Sequence, residues 1–158
     1  MNRRLLGTTL MLAVLSAQAI AKPRIHPIAG YGKVAPLTGY EGRADPAVRY
    51  RVIFNVTKVA PSPDMANPAL DKVARLLNLL ARDRIYPAKG DVVVVIHGAA
   101  TPIVANSGLY AAKTNVAINP NLTLIRELRE AGVTIAVCSQ ALHGQQNQAR
   151  RCRDGRSN

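Results

Sequence analysis

The 158-residue chain has no tryptophan, one phenylalanine, two cysteines and three histidines. It has only nine acidic residues against 21 basic ones, a formal net charge of +12. His26, His97, His143, Cys138 and Cys152 show no ligand pair at zinc spacing, so no metal site is expected. After the first residues no apolar run approaches the ~18 needed to span a membrane. Aromatics are too few to interleave with the basic residues, which argues against nucleic acid as a partner. Gly30-Tyr31-Gly32 has neither a strand before it nor a glycine-capped helix after it, so it does not read as a phosphate-cradling loop and no cofactor is expected.

Much of the basic excess sits at the ends. Residues 1–21 carry Arg3 and Arg4, a short apolar core from Leu5 to Leu15, and small residues at Ala19 and Ala21. This is the pattern of a secretory signal peptide cleaved near Ala19 or Ala21, and the mature protein is expected in the periplasm or secreted, with no membrane attachment. Residues 144–158 hold Arg150, Arg151, Arg153 and Arg156 against Asp154, with no aliphatic side chain larger than alanine. Such a tail has nothing to offset its ordering entropy and is expected to stay disordered and solvated. These ends contribute +2 and +3, leaving +7 for residues 22–143. A Cys138–Cys152 disulfide has an even cysteine count in its favour, but the tail gives Cys152 no fixed position.

Residues 22–48, rich in proline and glycine, read as an irregular arm. The domain proper spans 49–143. Arg49 to Thr57 reads as a first strand. Asn67 and Pro68 open a helix to about Asp83, with Leu70, Val73, Ala74, Leu77 and Leu80 as one buried stripe. Asp91 to Ile96 is a second strand. Ser107–Thr114 reads as a short helix, and Asn119-Pro120 starts another that turns Leu124, Ile125, Leu128 and Ala131 inward and closes on Gly132. Val133 to Val137 is a third strand. The order predicts an α/β three-layer α/β/α sandwich with a mainly parallel sheet, both faces covered. A final helix and strand of the usual kind are missing after Cys138, which would leave a sheet edge and an apolar face open.

His97 and Cys138 end the second and third strands, where open α/β sheets collect ligands and chemistry. Cys138 lies where a strand passes into a helix, with Ser139 as the expected N-cap, and a thiol there is favoured as the nucleophilic thiolate. His97 could position or deprotonate an incoming group. Asn55 and Thr57 from the first strand reach the same crevice, and Gly98, Ser139 and Gln140 border it. The plainer readings are a core cysteine and a half-buried histidine bonded to a loop. His143 is expected at the surface. Asn55-Val-Thr57 and Asn121-Leu-Thr123 fit the glycosylation pattern but fall on an expected buried strand and a helix start, and neither is expected to be modified.

Val92-Val-Val-Val-Ile-His-Gly98, Ala74-Arg-Leu-Leu-Asn-Leu-Leu80 and Ala131-Gly-Val-Thr-Ile-Ala-Val-Cys-Ser-Gln-Ala-Leu142 together resemble the DsrE/DsrF-like family, in particular its exported branch. The arm with His26-Pro27 and Gly30-Tyr31-Gly32-Lys33 is similar to the same branch, and the resemblance covers about residues 24–143. It implies a DsrEFH-like fold assembled as a homo-oligomer, a trimer or hexamer. By likeness to the family's cytoplasmic sulfur-transfer members it also implies sulfur relay, with a cysteine at the position of Cys138 accepting sulfane sulfur as a persulfide from a donor protein and passing it to an acceptor. Ser139 stands where the branch often has glycine, and the arginine-rich tail replaces the family's last helix and strand. The alternatives are a non-catalytic oligomeric module that binds a small ligand, or a defective truncated product. Whether such a carrier counts as an enzyme stays open.

Overall fold

The computed structural model describes residues 28–36 and 42–144. The expected signal peptide, His26, Cys152 and all of the basic tail after Gly144 lie outside the described residues. Three strands, β1 (Val52–Val56), β2 (Val92–Ile96) and β3 (Thr134–Val137), form one parallel sheet in the order β1-β2-β3. Helix α1 (Pro68–Arg82) joins β1 to β2. A 3-10 helix (Gly98–Val104), α2 (Ser107–Thr114) and α3 (Asn121–Glu130) lie between β2 and β3. The fold is α/β with a parallel sheet and flanking helices, as the sequence predicts. The 3-10 helix is an element the sequence did not disclose.

Asn67 caps α1, its Oδ1 accepting from the Ala69 N–H at 2.9 Å, and Pro68 fills the first turn, where no N–H is needed. Leu70, Val73, Ala74, Leu77 and Leu80 are all buried, and so are Leu124, Ile125, Leu128 and Ala131 around α3. These stripes pack on Val56, Val92, Val94 and Ile96, with Phe54, Ile135 and Val137 at the margin. Both long helices end in the same hydrogen-bonded motif. In α3 the Val133 N–H donates to the Leu128 carbonyl and the Gly132 N–H to that of Arg129, with Gly132 at φ 91°. In α1 the Ile85 N–H donates to Leu80 and the Arg84 N–H to Ala81, but the left-handed residue, at φ 58°, is Arg84.

The arm at 28–36 lies along α1. Asn78 accepts from the Ile28 N–H and donates to the Ile28, Tyr31 and Gly32 carbonyls, while Asp71 accepts from the Gly32 N–H. A Cβ on Gly32 would run into the backbone of Ala74 and Arg75, so only glycine permits this approach.

The helical layer occupies one face of the sheet. On the other face the rows are Ile53, Val93, Thr134 and then Asn55, Val95, Ala136. Ile53 is 74% exposed, Asn55, Thr134 and Ala136 are exposed, and Val93 and Val95 are half-buried. Strand order accounts for this. Right-handed crossovers that step from β1 to β2 to β3 in one direction place their helices on the same side. Covering the opposite face requires the chain to reverse direction, and no element among the described residues does so. The run Val92–Ile96 looks doubly buried by composition, yet it alternates in burial. Asn55, expected on a buried strand, is exposed.

Candidate functional site at the carboxyl ends of the strands

Two backbone bonds extend the parallel ladder beyond the strands. The His97 N–H donates to the Val56 carbonyl and the Cys138 N–H to the Ile96 carbonyl, each at 3.0 Å. Continuing the registers by one residue lines up Thr57, His97 and Cys138 in one row across β1, β2 and β3. Strand alternation assigns this row to the open face, because His97 follows Val93 and Val95, and Cys138 follows Thr134 and Ala136. His97 is extended, at φ −155° and ψ 179°, so the alternation carries through it.

On that face the His97 Nε2 lies 2.7 Å from the Asn55 Oδ1. With Oδ1 as acceptor, Nε2 is the donor of this bond. The imidazole is thus held toward β1, on the other side of β2 from Cys138. Cys138 has no disulfide partner among the described residues and is half-buried, which separates it from the fully buried core.

Residues 139–144 form a helical turn after β3. Its first bond runs from the Leu142 N–H to the Cys138 carbonyl at 3.1 Å, so Cys138 itself, rather than Ser139, occupies the N-cap. The next N–H groups have no partner within the helix.

The remaining sequence candidates surround this row. Thr57 gives its carbonyl to the Ala100 N–H at 3.2 Å. Gly98 is exposed, and its carbonyl accepts from the Thr101 hydroxyl at 2.8 Å. Ser139 and Gln140 are exposed in the first turn after Cys138, and His143 is exposed on the same turn. Among the described residues no group of three His, Cys, Asp or Glu is placed to hold a metal ion, and no helix is long and apolar enough to cross a membrane.

Two features at this end escaped the sequence. A cavity of about 270 Å³ opens between the β1–α1 loop, the 3-10 helix and α2, with Val59, Pro63, Ile103, Tyr110 and Thr114 among its walls. The Tyr110 hydroxyl donates to the Pro63 carbonyl at 2.7 Å, and burial, helped by Asp64, pushes its pKa up. Beside it lies a buried asparagine network. Asn121 accepts from the Asn67 N–H at 2.7 Å and donates to Asn119, which donates in turn to the Ile103 and Ala105 carbonyls. In the sequence these asparagines signal only helix starts; their joining depends on loops meeting in space.

No curated protein and no solved structure matches the chain. Residues 51–146, which take in all three strands and the whole His97–Cys138 row, match the family model of the DsrE/DsrF-like family. With more than half of its length matched, the chain belongs to the DsrE/DsrF-like family.

Proposed function

We infer that this protein is a sulfur carrier in which Cys138 accepts sulfane sulfur, with His97 and Asn55 shaping the approach to it. The observation that carries the reading is the row at the strand ends: a half-buried thiol at a helix N-cap with no disulfide partner among the described residues, in register with a histidine held by Asn55, on a sheet face that no described element covers. A core cysteine has no need of that position. Family membership is consistent with such a role.

The chemistry is an exchange at sulfur. The Cys138 thiolate attacks the outer sulfur of a donor persulfide. A new Sγ–S bond forms as the donor's S–S bond breaks, and the electron pair leaves on the donor thiolate, so no external oxidant is needed. The thiol proton is released to solvent before attack, and His97, held toward β1 by Asn55, shapes the approach to Cys138. Thr57, Gly98, Ser139 and Gln140 border the space the donor's end would occupy. The partners are a sulfur donor protein and an acceptor protein, and the assembly is a homo-oligomer. The protein acts after export, its mature chain starting near Ile20 or Lys22; N-terminal sequencing of secreted material checks this, and recovery of Met1 would contradict it.

A second reading has its own observation, the 270 Å³ cavity beside Tyr110. Its mainly apolar walls suit a small apolar ligand, and in that case the chain is a binding module with Cys138 a bystander. Iodoacetamide labelling of folded protein carrying Cys152→Ser separates the two. The carrier reading expects Cys138 to label within about tenfold of its rate in denatured protein, as an accessible thiol does. Labelling that waits for unfolding would favour the binding module.

A further inference from the structure

We propose that the opposite end of the sheet, at the amino ends of β1 and β2, binds a small aromatic oxyanion between Arg49 and Arg84 and against the rings of Tyr50 and Tyr86. The residues leading into β1 and the α1–β2 connection enclose a cavity of about 230 Å³ there, lined by these four side chains and Asp91. It is separate from the Cys138 row by the length of the sheet, about 17 Å for a five-residue strand.

Arg49 is fixed before any ligand arrives. Its Nε lies 3.0 and 3.2 Å from the two Asp91 oxygens and its Nη2 2.7 Å from Oδ1. This side-on pairing consumes one edge of the guanidinium and leaves Nη1 to donate elsewhere. Asp91 also accepts from the Ala88 N–H at 2.9 Å and has Arg51 at 3.8 Å, so its charge is already answered. It does not neutralise the second arginine of the cavity.

That second arginine is the more telling one. Arg84 makes no side-chain hydrogen bond or ion pair with any described residue, and it stands at φ 58° in the left-handed slot that closes α1. The same slot at the end of α3 is filled by Gly132. Glycine is the undemanding choice for this position, and strained residues gather where a ligand uses them. An arginine there, lining a cavity that already holds one oriented arginine, presents two guanidinium groups to one oxyanion.

Tyr86, 50% exposed, and Tyr50 supply flat apolar walls for a ring. The volume falls below the ~300–1,000 Å³ of drug-sized pockets, which limits the ligand to about one ring with one anionic group.

The test is titration of the full chain at fixed ionic strength with benzoate, benzenesulfonate and phenyl phosphate, with inorganic phosphate and benzyl alcohol as charge-only and ring-only probes. With no tryptophan in the sequence, fluorescence comes from five tyrosines, of which Tyr50 and Tyr86 line the cavity, and calorimetry gives the binding constant. At least one aryl oxyanion should bind saturably, about tenfold or more tighter than either control probe. Arg84→Gly should raise Tm by relieving the left-handed strain and weaken that binding about tenfold. If Arg84 is merely a helix cap, Arg84→Gly raises Tm and leaves the affinity unchanged, which overturns the proposal. Absence of saturable aryl-oxyanion binding overturns it as well, as does inorganic phosphate binding equally tightly.

Discussion

The His97 Nε2 and the Asn55 Oδ1 lie 2.7 Å apart, tying the end of β2 to β1 on the face that no described helix covers. The bond sets which way the imidazole faces. Removing Asn55 should therefore alter chemistry at Cys138 more than it alters stability. Asn55→Ala and His97→Ala should each slow sulfur uptake by Cys138 about three- to tenfold, the effect of losing groups that shape the approach rather than move a proton. Both sites are solvent-facing, so unfolding free energies should stay within about 0.5 kcal/mol of the parent. Stopped-flow persulfide uptake and urea unfolding check the two halves separately.

The buried asparagine network should behave in the opposite way. Asn121→Ala leaves the buried Asn67 N–H without its acceptor and Asn119 short of a donor. The expected loss is about 1–3 kcal/mol in urea unfolding, the cost of an orphaned buried group. Replacing the exposed neighbour Thr123 by alanine should cost less than about 0.5 kcal/mol.

What was legible in the sequence followed from local pattern. Leu70, Val73, Ala74, Leu77 and Leu80 repeat at helical spacing, and Asn67-Pro68 signals the helix start, so α1 and its buried face could be read directly. His97 and Cys138 at the ends of apolar runs marked the candidate row. The open face could not be read, because it follows from strand order, and Val92–Ile96 has the same letters whether one side is covered or both. The N-cap shifted from Ser139 to Cys138 because one backbone bond, from Leu142, decides it. The amino-end cavity depends on Arg49 and Arg84, far apart in sequence, meeting in space.

The Asp91 carboxyl has a pKa below the usual carboxylate range, chiefly through its hydrogen bonds with Arg49 and opposed by desolvation. A group depressed in the folded state contributes stability above its unfolded pKa of about 3.9 and loses it as pH falls through the lower folded value. Unfolding monitored between pH 6 and about pH 2 should show a steeper loss for the parent than for Asp91→Asn, the two curves converging in acid. Parallel curves over the whole range would refute the linkage.

Ile53, 74% exposed on β1, lies beside Val93 on the sheet face that no described element covers, and β1 is an edge of the described sheet. Such surfaces drive association. The parent protein should show concentration-dependent assembly in sedimentation velocity, and Ile53→Lys should shift it toward monomer while lowering ANS fluorescence. Identical sedimentation of the two proteins would show that this face is not the contact surface.

The central claim is that Cys138 takes up sulfur in the folded protein. The direct measurement is the intact mass and the Cys138 peptide mass of folded Cys152→Ser protein after exposure to a low-molecular-weight persulfide donor, with folding verified by a cooperative thermal transition. The account predicts a gain of one sulfur atom at Cys138, reversed by a thiol reductant and absent from the Cys138→Ser protein. A folded protein whose Cys138 gains no sulfur would contradict it.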